Sequence, residues 1–227
     1  MMSEWWTYRP EDLLLFSPRA YWRLFELLNA ELWPVQVLAL AAGLVIAVVA
    51  FRPGRNHDRW IPLILAAAWT FVGWSFLWNR YATINWPIAY VAPAFALQSA
   101  LLLLAGTMPK GLVFGRRGIG GRAGLFLATV GIVAYPVLPP LFGRSWSSAE
   151  LFGMAPDPTA VVTLGLLLSA RGRLPSILIP IPLAWCLLSG TTLLAMNDPQ
   201  AWFPFLAAVI ALVAAALNMI GSRSTQA

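Results

Sequence analysis

Residues able to do chemistry are scarce in this chain. Only one charged trio lies close together on what reads below as the outer side: Arg144, Glu150 and Asp157, preceded by Tyr135 and Pro136. An enzyme would need these charges to converge. A binding protein would need them only to line a recess. The other reactive residues stand alone. Cys186 is the single cysteine, so no disulfide and no paired thiolate for a soft metal can form, and it reads as core packing. His57 is the single histidine, which excludes haem held between two histidines. Lys110 is the single lysine and falls in a link between apolar segments, so a retinal Schiff base within a bundle is excluded. Hydroxyls at Thr70, Ser75, Ser99, Thr129, Thr163, Ser189 and Thr191 have no histidine or carboxylate close in sequence, so a hydrolase triad lacks its base. They read as groups that bond across helices or to their own backbone. The glycine-rich stretch from Gly111 to Arg122 lacks the Lys-Ser/Thr ending and the preceding strand of a phosphate-binding loop.

The elements that carry these residues follow from composition. Of 227 residues, 59% are hydrophobic and only 11% charged, and mean hydropathy is +0.72. An average soluble domain is about 25% charged. Too little polar surface is available to face water, so the expected solvent is a bilayer. A soluble enzyme, a disordered chain, a nucleic-acid-binding domain and a disulfide-stapled domain are excluded on that ground. Crossing about 30 Å of hydrocarbon takes roughly 20 apolar residues. Seven segments qualify or nearly do: 32–51, 60–78, 86–108, 124–142, 158–170, 174–194 and 202–220. The fifth is short. The expected fold is an all-α integral membrane bundle of seven transmembrane helices. Residues 1–31 form a tail with an interfacial helix, 32–220 the bundle and 221–227 a second tail.

Charge orients the bundle. The links 52–59, 109–123 and 171–173 and the tail carry ten of the fifteen cations and one acid, Asp58, a balance of +9. The alternate links and the N-terminal tail hold the other five cations and eight acids, a balance of −3, together the +6 of the chain. Basic links stay cytoplasmic. The N-terminus is therefore expected outside and the C-terminus in the cytoplasm, with no cleavable signal peptide. Lys110, Arg116, Arg117 and Arg122 form a flexible basic link expected to rest on anionic headgroups.

Tryptophan marks the outer boundary, with Trp22, Trp33, Trp78, Trp86, Trp146 and Trp202 expected as interfacial anchors beside Trp5 and Trp6. Ser17-Pro18 reads as a helix start. Tyr21, Trp22, Phe25 and Leu28 then recur on one face of an amphipathic helix over 17–31, with Arg19, Arg23 and Glu26 on the other. It serves either as an anchor packed over the outer helix ends or as a lid over a cavity. Tyr135-Pro136-Val137-Leu138-Pro139-Pro140 is expected to break the fourth span, and Asp157-Pro158 to cap and restart the fifth. Irregular backbone at membrane depth is buried in protein or lines a watery cavity. An outward recess walled by Tyr135, Pro136 and Asp157, with Arg144 and Glu150 at its rim, is one outcome. Local thinning of the bilayer or an interfacial cap without ligand is the other. Small residues at Ala92, Ala96 and Ala100, and at Ala207, Ala211 and Ala215, suggest close-packing stripes.

The opening Ser3-Glu-Trp-Trp-Thr-Tyr-Arg-Pro-Glu-Asp-Leu-Leu-Leu-Phe-Ser-Pro-Arg19 resembles that of an uncharacterised family of bacterial multi-pass membrane proteins, a domain of unknown function whose members are sometimes labelled MerC-like mercury resistance proteins. The resemblance implies a bacterial inner-membrane location and brings no assigned activity or site. The expected role is non-enzymatic, with a lipid-like or small neutral molecule held in the outer recess and no cofactor or metal. A small permease or metal-handling transporter, or an accessory subunit of a membrane complex, are the alternatives. Membrane lipids are the expected partners and nucleic acid is not. A membrane-protein partner and self-association stay open.

Overall fold

A computed structural model describes residues 9, 11, 14–51, 57–108, 111–115, 118–171 and 174–223. Lys110, Arg116, Arg117, Arg173, Trp5 and Trp6 lie outside the described residues, as does most of the opening motif. The described residues are predominantly helical and contain no strand. The elements are α1 (Pro18–Glu31), α2 (Val35–Phe51), α3 (His57–Phe71), α4 (Ile88–Thr107), α5 (Ile119–Val133), α6 (Pro156–Ser169), α7 (Leu174–Leu178), α8 (Pro180–Ala195) and α9 (Trp202–Arg223). Helix α3 runs on through a π-helical stretch, Val72–Tyr81, to Ile84. Every apolar segment predicted as a span contains a helix. Five are long and apolar enough to cross a membrane: Asp58–Ile84, Ile88–Thr107, Ile119–Leu141, Leu174–Ala195 and Pro199–Leu217. A sixth comes from α1 and α2 only if that pair, bent by 97°, counts as one span. Leu38, Leu44, Phe126 and Leu141 are each more than 60% exposed, an apolar exterior that water would not tolerate over so wide an area.

The axis is α6. All fourteen of its residues are buried. At 1.5 Å per residue it is roughly 21 Å long, too short for a lipid-facing span. Its surface is covered by protein, because α5, α8, α9 and α3 pack around it. Its polar side chains are satisfied inside. Trp69 Nε1 on α3 donates to Thr163 Oγ1 at 2.9 Å, and Thr159 Oγ1 accepts from Gly153 N at 2.9 Å. The tightest contact is with α5, where no side chain separates the backbones: a Cβ on Gly165 would lie 2.5 Å from Ala128 N and Gly124 O. Of the alanine stripes read from the sequence, Ala92, Ala207 and Ala211 are buried and Ala215 is half-buried, whereas Ala96 and Ala100 face outward.

The prolines after α5 do not break it as expected. The chain turns through a 3-10 segment, Tyr135–Val137, and one further α turn, Leu138–Leu141, so that Ile119–Leu141 stays helical. Pro139 and Pro140 occupy first-turn positions of that last turn, where no intrahelical N–H is needed.

Two ends of the bundle are distinct. At one, Phe114 N donates to Asp58 Oδ1 at 3.1 Å, and Arg171 N donates to Val113 O at 2.8 Å. Leu112 and Phe114 are buried there, so this part of the supposedly flexible basic link is packed, while Arg122 is exposed. At the other end Arg80 Nη2 meets Glu31 Oε2 at 2.6 Å, and Asn29 Nδ2 donates to Ser147 O and Ala149 O at 2.8 Å. The links that share a charge sign in the sequence thus share an end in the fold.

Candidate functional site

The acidic end holds the candidate site, and α1 roofs it. Ser17 Oγ accepts from Ala20 N at 3.2 Å, and Pro18 takes the first helical position. Tyr21, Trp22, Leu24, Phe25 and Leu28 form its buried face, packed onto protein. Phe25 stacks on Phe76, with ring centroids 4.5 Å apart, and Tyr21 meets Tyr81 at 5.2 Å. Phe76 and Tyr81 both belong to the π-helical stretch, which turns them toward the roof. The five tryptophans Trp33, Trp78, Trp86, Trp146 and Trp202 are half or more exposed. Trp22 differs from that anchor set: it is buried, with its ring beneath the guanidinium of Arg144.

The link after α5 delivers Arg144. Gly143 adopts φ 75°, a left-handed turn that suits glycine. Arg144 N then bonds back to Pro139 O at 2.8 Å. The guanidinium carbon lies 3.4 Å from the Trp22 ring centroid, a cation–π contact. Arg144 Nη2 donates to Gln200 Oε1, and Gln200 Nε2 donates to Glu150 Oε1. One amide therefore bridges the guanidinium and the carboxyl, and only one orientation of it serves both. Gln200 is held by Asp198, whose Oδ1 accepts Gln200 N at 2.8 Å and caps the short turn Pro199–Ala201. Arg144 Nε and Nη1, Glu150 Oε2 and the Tyr135 hydroxyl are buried without a hydrogen-bond partner.

Asp157 sits deeper and is not the cap that the sequence suggests. The N-cap of α6 is Ala155, and Asp157 turns its carboxyl into the bundle. Its Oδ1 accepts from Trp185 Nε1 at 2.8 Å and its Oδ2 from Ser189 Oγ at 2.7 Å. Trp185 and Ser189 lie four residues apart on α8, hence on one face. Cys186 is buried beside them. Sequence reasoning did not reach Gln200 or the Trp185–Ser189 pair. The only signal was a glutamine next to a Pro-initiated turn, and a tryptophan and serine one helical turn apart.

The predicted recess is thus divided in two. Tyr135, Glu150 and Asp157 are fully enclosed, and Pro136 is half-buried at the edge of the turn. Above them a cleft of about 630 Å³ opens between α1 and the 144–148 link, lined by Ser17, Arg19, Trp22, Arg23, Arg144 and Ser145 among others. Arg144 belongs to both levels.

Burial first, and the nearby Asp157 carboxylate second, push the Glu150 carboxyl up to about 8, against the pull of Arg144 and Gln200. The folded protein therefore holds this proton to a higher pH than the unfolded chain does. The stabilisation is complete below about 4.5, is lost as pH rises to about 8, and is level above that. In detergent, the melting temperature of the wild type should fall across that window, and Glu150→Gln should flatten the fall. An equal slope in both proteins would assign it to another group.

The profile of a family of unknown function, DUF6064, matches residues 18–225. The match covers every described helix from α1 onward and begins after most of the opening motif. Neither a curated protein nor a solved structure matches the chain.

Proposed function

The chain belongs to this family of unknown function, DUF6064, and we propose that it is a non-enzymatic bacterial inner-membrane protein that holds a lipid-like ligand at its outer end. The proposed arrangement crosses the bilayer seven times, with α6 as a short, protein-sheathed crossing, α1 at the outer interface and the C-terminus in the cytoplasm. The balance of +9 at one end and −3 at the other supports this orientation. The observation that carries the ligand reading is the cleft between α1 and the 144–148 link, with Arg144 as part of its wall. A ligand entering from the outer leaflet would place its head in this cleft and its tails along the apolar exterior.

Two measurements test the reading. A protease-sensitive tag after residue 227 should survive protease in intact spheroplasts, and its digestion would reverse the orientation. Native mass spectrometry should show one lipid retained through detergent washing by the wild type and lost from Ala20→Trp, which fills the cleft. Ala20 lines the cleft and is not part of the core. Equal lipid retention by both proteins would move the ligand elsewhere.

A further inference from the structure

The charges around the cleft run against those of the end that holds it. The link and tail residues on this side sum to −3, yet the cleft is lined by Arg19, Arg23 and Arg144 with Glu26 as the only acid. Glu26 is engaged by Arg23 at 2.6 Å, so among the described residues it is not available to Arg19 or Arg144. Neither forms an ion pair among the described residues; those present are Arg23–Glu26 and Arg80–Glu31. The first turn of α1 faces the same space through Ser17, Arg19 and Ala20, contains no acidic residue and adds the positive end of a fourteen-residue helix. Ser17 and Ser145 each use the hydroxyl oxygen to accept a backbone N–H, so each retains an O–H to donate.

Arg144 is built for an anion. Its stacking on Trp22 and its bond to Gln200 fix the guanidinium plane. Glu150 does not neutralise it directly, because Gln200 stands between them. Arg144 Nε and Nη1 are buried and have no acceptor among the described residues, so the guanidinium is not saturated by the protein around it. Buried donors are almost always satisfied, and a fixed guanidinium fork suits phosphate oxygens.

Resting on the lipid-like reading above, we infer that the cleft recognises a phosphate group, held by Arg144 and Arg19 and by the first turn of α1. A phosphate-bearing lipid head and a soluble phosphate monoester share this chemistry. The test uses the full chain in nanodiscs of phosphatidylcholine, with and without phosphatidic acid, and separately with glycerol 3-phosphate. Thermal stabilisation and native mass spectrometry are the readouts. Phosphatidic acid should bind, and Arg144→Gln should weaken it about tenfold or more, the scale of one lost charge-assisted bond. Arg19→Gln, at an exposed position whose loss leaves the fold intact, should weaken it in the same direction, while Arg59→Gln at the opposite end should not. Binding of phosphatidic acid alone assigns a lipid head, and binding of glycerol 3-phosphate as well assigns the phosphate by itself; both support the inference. Retention of diacylglycerol equal to that of phosphatidic acid, unchanged by either arginine variant, overturns the phosphate and leaves the lipid site standing. Retention of no lipid, with Ala20→Trp indistinguishable from the wild type, overturns both.

Discussion

Gly165→Leu should leave no folded protein to purify. Helices α5 and α6 meet backbone to backbone. A Cβ on Gly124 would lie 2.4 Å from Gly165 O, one on Gly165 would lie 2.5 Å from Ala128 N, and one on Gly131 would lie 2.7 Å from Val162 Cγ2. The first two clashes are with main-chain atoms, which cannot swing aside as a flexible side chain can. The helices would have to part, and α6 cannot move alone because it is enclosed on every side. Ordinary overpacking costs about 1–3 kcal/mol, against a total margin of about 5–15 kcal/mol. Here the Cβ alone already exceeds the available space before three more carbons are added. Size-exclusion of a fluorescent fusion should show only aggregate. Ala96→Leu, the same side chain at an outward-facing position of α4, should run as the wild type does. A monodisperse Gly165→Leu with an unchanged melting temperature would disprove the α5–α6 contact.

Asp157→Ala should be the most damaging single change in the polar interior. It strips the acceptor from both Trp185 Nε1–H and Ser189 O–H, each buried. A stranded buried donor costs about 1–3 kcal/mol, and hydrogen bonds between helices within a bilayer are worth about 0.6–2 kcal/mol each. A combined loss of about 2–4 kcal/mol corresponds to a fall of roughly 5–15 °C for a protein of this size. Asp157→Asn behaves differently. Its amide oxygen still accepts from Trp185, and Ser189 turns its hydroxyl to accept from the amide N–H, so the fall should be at most about 3 °C. If Asn proves as harmful as Ala, the two hydrogen bonds are not what joins α6 to α8.

These results bear on how far the sequence can be read. The helices were legible because a long apolar segment announces itself by length and by lack of charge: each of the seven apolar segments contains a helix, and five helices are long and apolar enough to cross a membrane. Ser17-Pro18 was legible because capping is local: donor and acceptor are three residues apart. The two-ended grouping of links was legible because charge sorting needs no knowledge of contacts. Packing inside the bundle was not. In a chain this apolar, small residues on a lipid face and small residues at a helix contact look alike, so Ala96 and Ala100 were read as a seam while Gly124 and Gly165 passed unnoticed. The site was half legible. Tyr135, Glu150 and Asp157 are all buried where an open recess was expected, and Glu150 is bonded by Gln200, fifty residues away in the chain. Asp157 next to Pro158 carries the local signature of a cap. Only the position of α8 reveals that its carboxyl is an inward tie.

The sheathing of α6 constrains how the protein is made. A fourteen-residue segment with no lipid-facing side has no stable berth of its own when it emerges from the ribosome. Its closest partner, α5, precedes it in the chain, whereas α8 and α9, which cover its remaining sides, are synthesised after it. The covering of α6 is therefore complete only once α9, the last helix, has been made.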